Sequence, residues 1–205
     1  HRLVARTLDL ATGQSTLAPA TPADASGRQG QACRTVYGPH WRLLIIGANQ
    51  TARILAEIAT ALEFHVMVCD PREEFFAQWQ LPEVELRTGM PDDTVLEIGV
   101  DARTAIVAVT HDPKLDDMAL LEALKSPAFY VGALGSRANQ AKRRERLRMF
   151  DLQDDQIDRL HGPVGLPIGS RTPAEIAVAI AAELVQVRNR QVIAAASASA
   201  CAASA

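Results

Sequence analysis

The chain has 205 residues, 48% of them hydrophobic, and a formal net charge of −3. That is ample apolar material for one α/β domain with an appendage, and the slightly acidic balance argues against nucleic acid as a partner. No apolar run reaches the roughly 18 residues needed to cross a bilayer, and Cys33, Cys69 and Cys201 are too scattered for a disulfide framework or a zinc site, which fits a cytoplasmic chain. Leu3 to Leu10 and Ser15 to Leu17 alternate around the turn signal Ala11-Thr12-Gly13 and predict a hairpin. Pro19 to Gln31, rich in Ala, Pro, Gly and Ser, reads as a linker. Leu43 to Ile46 is a continuous apolar run closed by Gly47, the pattern of a central parallel strand. From Gln50 the period becomes helical, with Ile54, Leu55, Ile58 and Leu62 on one face. Val66 to Asp70 predicts a second strand, Val84 to Leu86 a short third, Ala105 to Val109 a fourth and Ala128 to Val131 a fifth. Helices are expected over Leu115 to Leu124, Asn139 to Met149 and Asp154 to Leu160. A last helix begins at Pro173, with Ile176, Ile180, Leu184 and Val187 on its apolar face. Alternating strands and helices imply an α/β fold with a doubly wound parallel sheet.

Four segments carry chemistry. Gly47-Ala48-Asn49-Gln50-Thr51-Ala52 lies between the first strand and helix, the place of a dinucleotide fingerprint. Gly47 permits the tight turn, but Asn49 stands where a glycine normally lets a pyrophosphate reach the backbone, and it can instead cap the helix. Asp70, 23 residues after Gly47, suits a ribose diol. Thr110-His111-Asp112-Pro113 follows the fourth strand: His111 can serve a phosphate or a proton transfer with Asp112 orienting it, or the segment can simply turn the chain. Gly132-Ala133-Leu134-Gly135-Ser136-Arg137 leads a helix whose start favours an anion. Lys142, Arg143, Arg144, Arg146 and Arg148 on that helix form either a solvated face or a field attracting phosphate. Val164 to Thr172 brings Arg171 to the start of the last helix, where Thr172, Pro173 and Glu175 predict an N-cap, a first helical residue and a capping box. His161 reads as structural, and Cys69 as inert packing.

Thr110 to Asp116, Tyr130 to Arg137, and Gly162 to Leu166 continuing through Thr172 to Ala177 occur in the same order and spacing as in the XdhC/CoxI family, the accessory proteins of xanthine dehydrogenase and carbon monoxide dehydrogenase. Cys69-Asp70-Pro71-Arg72-Glu73-Glu74-Phe75 is also similar to the family. The resemblance spans roughly Trp41 to Asn189 and implies a Rossmann-like domain. It also implies a maturation factor that binds molybdenum cofactor, as molybdopterin or its cytosine dinucleotide, and hands it to a molybdenum hydroxylase apoenzyme. Such a protein is a cofactor-insertion chaperone rather than an enzyme, expected as a homodimer. The family carries glycine where this chain has Asn49 and commonly histidine at Gln50. Its usual N-terminal Gly-Gly-Cys motif has no counterpart here, since Cys33 lies in Ala-Cys-Arg.

Residues 1–35 are accordingly expected to be the remnant of an N-terminal domain and its linker, 36–193 the Rossmann-like domain, and 194–205 a disordered Ala/Ser-rich tail. The expected cofactor-binding set is Gly47, Asn49, Gln50, Asp70, His111, Asp112, Gly132, Gly135, Ser136, Arg137 and Arg171, with no catalytic residue and no metal. Gly47, Asp70, His111, Gly132, Ser136 and Arg137 should line one cleft at the carboxyl edge of the sheet, with Arg171 near its rim. Two other readings stay open. One is an NAD-dependent oxidoreductase or nucleotide sensor using Asp70 and His111; the other is a dimerisation module that binds nothing small.

Overall fold

A computed structural model describes residues 3–20, 24, 26–38, 41–77, 79–150 and 152–202. The chain divides into two compact units, His1–Pro39 with Val187–Ala205, and His40–Gln186. The first contains a four-stranded antiparallel sheet in the order β2-β1-β4-β3, formed by β1 (Leu3–Asp9), β2 (Ser15–Ala20), β3 (Gly27–Gln29) and β4 (Ala32–Tyr37). The predicted hairpin is β1–β2. Asp9 closes it by accepting from the Ala11 and Thr12 amides at 2.8 and 3.0 Å. The segment expected to be a linker is partly sheet. β2 reaches Ala20, and β3 pairs with β4 across the Gly30 turn, where φ is +58°. Composition alone hid this strand, because three exposed residues held by backbone bonds leave no apolar alternation.

The second unit is a six-stranded parallel sheet in the order β10-β9-β8-β5-β6-β7. Its strands are β5 (Trp41–Ile46), β6 (Phe64–Cys69), β7 (Glu85–Arg87), β8 (Thr104–Ala108), β9 (Tyr130–Ala133) and β10 (Leu160–His161). Its helices are α1 (Gln50–Ala61), α2 (Pro91–Glu97), α3 (Pro113–Ala123), α4 (Arg137–Arg148), α5 (Asp154–Asp158) and, as far as Gln186, α6 (Pro173–Ala202). Counted from β5, the order across the sheet is third, second, first, fourth, fifth, sixth, that of a doubly wound dinucleotide-binding sheet. β5 is central, so Leu43 and Ile45 on one face and Leu44 and Ile46 on the other are all fully buried. One core joins Leu44, Ile46, Ile106 and Val131 to Leu120, Leu124 and Leu147. The direction of winding reverses between β5 and β8, and ligands of such sheets bind at the carboxyl ends beside that point.

Two differences from the sequence reading are local. The last predicted helix before the glycine loop ends at Asp158 and gives way to β10, whose two residues pair with Val131 and Gly132 of β9. Helix α6 runs to Ala202, into the segment 194–205 expected as a disordered tail, of which 203–205 lie outside the described residues. Alanine has the strongest helix propensity of all residues, so an Ala-rich segment extends a helix already begun.

Candidate functional site

The turn after β5 is shaped by the end of β8. Gly47 has φ +105°, and a Cβ there would stand 2.9 Å from Thr110 Cγ2 and 3.2 Å from Thr110 N. Asn49 caps α1. Its Oδ1 accepts from Ala52 N at 3.0 Å, and its Nδ2 donates to Val109 O at 2.6 Å. Asp70, just past β6, is committed inward. Its fully buried carboxylate accepts from Ala48 N at 3.0 Å, from Arg72 N at 3.1 Å, and from the Arg72 guanidinium at 2.8 and 2.9 Å. Burial pulls this carboxyl upward, and the hydrogen bonds from Arg72 and Ala48 outweigh that and hold it below the ordinary range. The acceptor expected for a ribose diol is thus saturated by the chain itself. The Arg72 guanidinium also lies 4.2 Å from the centre of the Phe75 ring.

The carboxyl edge carries two cavities where one cleft was expected. The first, about 330 Å³, lies over the ends of β8 and β9. Thr110 and His111 form one side, Leu134 and Gly135 another, and Asn139, Lys142 and Arg146 of α4 a third. The second, about 540 Å³, lies beside the start of α1, between Asn49, Gln50 and Arg53 on one side and Phe75, Trp79 and Gln80 on the other.

Of the expected residues, His111 and Gly135 meet in the first cavity, and Asn49 and Gln50 in the second. Gly47, Asp70 and Gly132 are buried behind them. Gly132 is glycine for packing reasons, since a Cβ would fall 2.6 Å from Val164 Cγ2 and 2.8 Å from Tyr130 Cε1. Asp112 and Ser136 are N-caps, accepting from Lys114 N at 2.9 Å and Asn139 N at 3.2 Å. Arg137 is exposed at the first position of α4 and is not among the cavity walls. The predicted capping box forms at α6, and Glu175 Oε2 accepts from Arg171 N at 2.6 Å and Thr172 N at 2.9 Å. The helix start at Arg171 therefore already holds an anion, its own Glu175.

Sequence reasoning named Arg143 and Arg146 only as part of a solvated or phosphate-attracting face, and missed Asp116, Asp117 and the pairing that sets these charges behind the first cavity. Arg143 is buried and donates to Asp116 at 2.8 Å, to Asp117 at 3.2 Å and to the Leu134 carbonyl at 3.0 Å. Asp116 also accepts from the Thr110 hydroxyl at 2.7 Å, and Arg146 donates to Asp117 at 2.6 Å. Burial pushes the Asp116 carboxyl up to about 6, against the pull of Thr110 and Arg143. Arg144 pairs with Asp158, and Arg148 with Asp154. Of the five cations, only Lys142 has no ion pair or hydrogen bond among the described residues, and the side chains of His111 and Asn139 share that condition. A readable signal existed. Asp116 shares a helical stripe with Leu120 and Ala123, and Arg143 shares one with Gln140 and Leu147, which marks both for burial.

A second network ties α6 to the sheet. Glu183 accepts from the Tyr130 hydroxyl at 2.5 Å and from Gly165 N at 2.6 Å, and its other oxygen lies 2.9 Å from His161 Nδ1. This gives His161 the structural place expected of it. Among the described residues no three His, Cys, Asp or Glu side chains are grouped to hold a metal, and no helix is long and apolar enough to cross a membrane.

Strand order, the turn after β5 and cavities at the carboxyl edge define a Rossmann-type α/β domain. The chain belongs to the XdhC family, for residues 43–184 match its Rossmann domain. It is 32% identical over 156 residues to the uncharacterized protein YqeB of Escherichia coli K12, covering 76% of this chain and 29% of that protein. It is 31% identical over 153 residues to a probable xanthine dehydrogenase subunit from Bacillus subtilis 168, covering 74% of this chain and 44% of that one. It is 28% identical over 155 residues to the molybdenum cofactor insertion chaperone PaoD of Escherichia coli K12, covering 76% and 42%. The chain thus spans less than half the length of these relatives. A crystal structure of a xanthine dehydrogenase from Bacillus halodurans shares the fold at TM-score 0.73 and 24% identity, over 92% of this chain and 60% of that one.

Proposed function

We propose that this chain is the Rossmann part of a maturation factor for a molybdenum hydroxylase of the xanthine dehydrogenase kind. It holds molybdenum cofactor as cargo, as molybdopterin or its cytosine dinucleotide, for transfer to the apoenzyme. One observation carries the reading: in the first cavity Lys142, His111 and Asn139 are uncommitted, while every other cation of α4 between 142 and 148 is paired with a carboxylate. A free ammonium beside an imidazole and an amide suits the terminal phosphate of a molybdopterin. The pairing of Arg143 and Arg146 to Asp116 and Asp117 fixes the wall without cancelling Lys142. Kinship with a cofactor insertion chaperone supports the same reading.

An NAD-linked oxidoreductase has less support. Asp70 is saturated by Ala48 and Arg72, and Asn49 occupies the pyrophosphate crossing.

Calorimetric titration of the chain with molybdenum cofactor, its cytosine dinucleotide, NAD and CTP tests the proposal. A molybdopterin form should bind, and Lys142→Ala should weaken it about 10- to 100-fold, the worth of one charge-assisted hydrogen bond. Binding of NAD alone, or molybdopterin binding indifferent to Lys142, overturns it.

A further inference from the structure

We propose that Asp116 takes up a proton when a phosphate enters the first cavity, so that the cavity holds its contents more tightly in mildly acid than in mildly alkaline solution. The inference rests on the reading of that cavity as a phosphate site. It adds the group that adjusts the charge of the cavity wall to what the cavity contains.

The hydrogen bonds around Thr110 leave a place for one more proton. Thr110 has a single hydroxyl proton, but its Oγ1 lies 2.7 Å from Asp116 Oδ1 and 2.8 Å from the Asp112 carbonyl. Both are acceptors while Asp116 is ionised, so one of the two short contacts is without its proton. A proton on Asp116 Oδ1 completes the chain. The carboxyl then donates to Thr110 Oγ1, and Thr110 donates onward to the Asp112 carbonyl. Both bonds already have their lengths, so the proton enters without moving a heavy atom. The other carboxylate oxygen keeps the Arg143 guanidinium at 2.8 Å in either state.

The surrounding charges leave Asp116 responsive to an added anion. Arg143 is shared among Asp116, Asp117, the Leu134 carbonyl and Gln140 Oε1, and Arg146 goes to Asp117. Two guanidiniums thus face two carboxylates, and Lys142 and His111 face the same cavity. On α2, which also packs against α3, Asp92, Asp93 and Glu97 make no bond to Asp116, and Glu97 turns to Arg87. Of the strands beneath, only β5 carries a charged side chain, Arg42, which is held by Ile98, Gly99 and Asp101. Tyr130 of β9 gives its hydroxyl to Glu183. Asp116 is a wall of a cavity of only about 330 Å³, so an anion on Lys142, His111 and Asn139 stands beside it. Two like charges sharing a dry site cannot both stay ionised cheaply, and protonation of the carboxyl removes the conflict. Burial already brings the carboxyl up to about 6, so a modest further rise carries it through neutrality.

Histidine also titrates near neutrality, so the test reads the Asp116 carboxyl itself. The probe is sulfate, a phosphate analogue that takes up no proton near neutral pH. Carbon NMR follows the carboxyl in the unaltered chain, in sulfate and in chloride at equal ionic strength. Sulfate should raise the titration midpoint saturably, by about one pH unit, and chloride should leave it in place. Coupling is reciprocal, so sulfate should bind up to about tenfold tighter on the acid side of neutrality than on the alkaline side. In Asp116→Asn the side-chain amide can donate to Thr110 as the protonated carboxyl does. That variant should therefore bind sulfate about tenfold tighter than the unaltered chain in mildly alkaline solution. If it fails to fold, NMR of the unaltered chain decides alone. A midpoint that sulfate leaves in place, an equal response to chloride, or no saturable response to sulfate overturns the proposal. A midpoint raised by sulfate while molybdopterin fails to bind keeps this inference and removes the cofactor reading. Molybdopterin binding with the Asp116 midpoint unmoved removes this inference alone.

Discussion

Arg143 and Asp116 show how costly a charge becomes once it leaves water. Both are almost fully buried, and each makes several hydrogen bonds. Removing the guanidinium strands Asp116 and Asp117, so Arg143→Ala should destabilise the chain by about 3–5 kcal/mol in urea denaturation. Asp116 itself should titrate near 6 when its side-chain carboxyl is followed by carbon NMR. Its folded pKa stands above its ordinary value of 3.8. The carboxyl therefore favours the folded state fully below about pH 4 and loses that contribution as pH rises through about 6. Glu183 has the opposite sign. Its hydrogen bonds from His161 and Tyr130 overcome the effect of burial and lower its pKa, so its contribution is present above about pH 4.5 and is lost on acidification. Gly47 is a third single-residue constraint. Gly47→Ala combines a left-handed backbone with a clash on Thr110, and should cost about 1–3 kcal/mol, read from the thermal midpoint.

At the scale of elements, much of the sheet was legible because its strands announce themselves. Leu43–Ile46 of β5 and Ala105–Ala108 of β8 are continuous apolar runs, and no other element of a globular α/β chain needs both faces so apolar. The caps were legible for the same local reason. Thr172 and Glu175 form the box that their spacing implies, and Asn49 caps α1. What escaped is non-local. β10 is only two residues long and exists because β9 offers it an edge. The Arg143 network needs α3 and α4 side by side, and no spacing along one helix reveals its partner 27 residues away. The same holds for Asp70, whose distance from Gly47 fits a ribose contact while its actual partners are Ala48 and Arg72. Helix α6 illustrates a mixed case. Its start was readable, but its attachment through Glu183 was not. Glu183→Ala removes the acceptor for the Tyr130 hydroxyl and the Gly165 amide, and should cost about 2–3 kcal/mol in denaturant unfolding.

For the molecule as a whole, a net charge of −3 gives no general attraction for anionic ligands. Any affinity for a phosphate must come from the few cations left free at the carboxyl edge. Such binding is screened only over short range. Raising ionic strength from about 0.05 to 0.5 M should weaken cofactor binding roughly three- to tenfold, against the far steeper loss expected of a basic surface. A titration series in salt separates the two.

Asn49 ends up as more than a missing glycine. One side chain fastens the first turn of α1 and the last carbonyl before Thr110, so it works as a latch across the seam where the two halves of the sheet part. Opening it breaks two hydrogen bonds at once. Asn49→Gly removes both bonds together, so the amides at the start of α1 should exchange with solvent faster than in the unaltered chain.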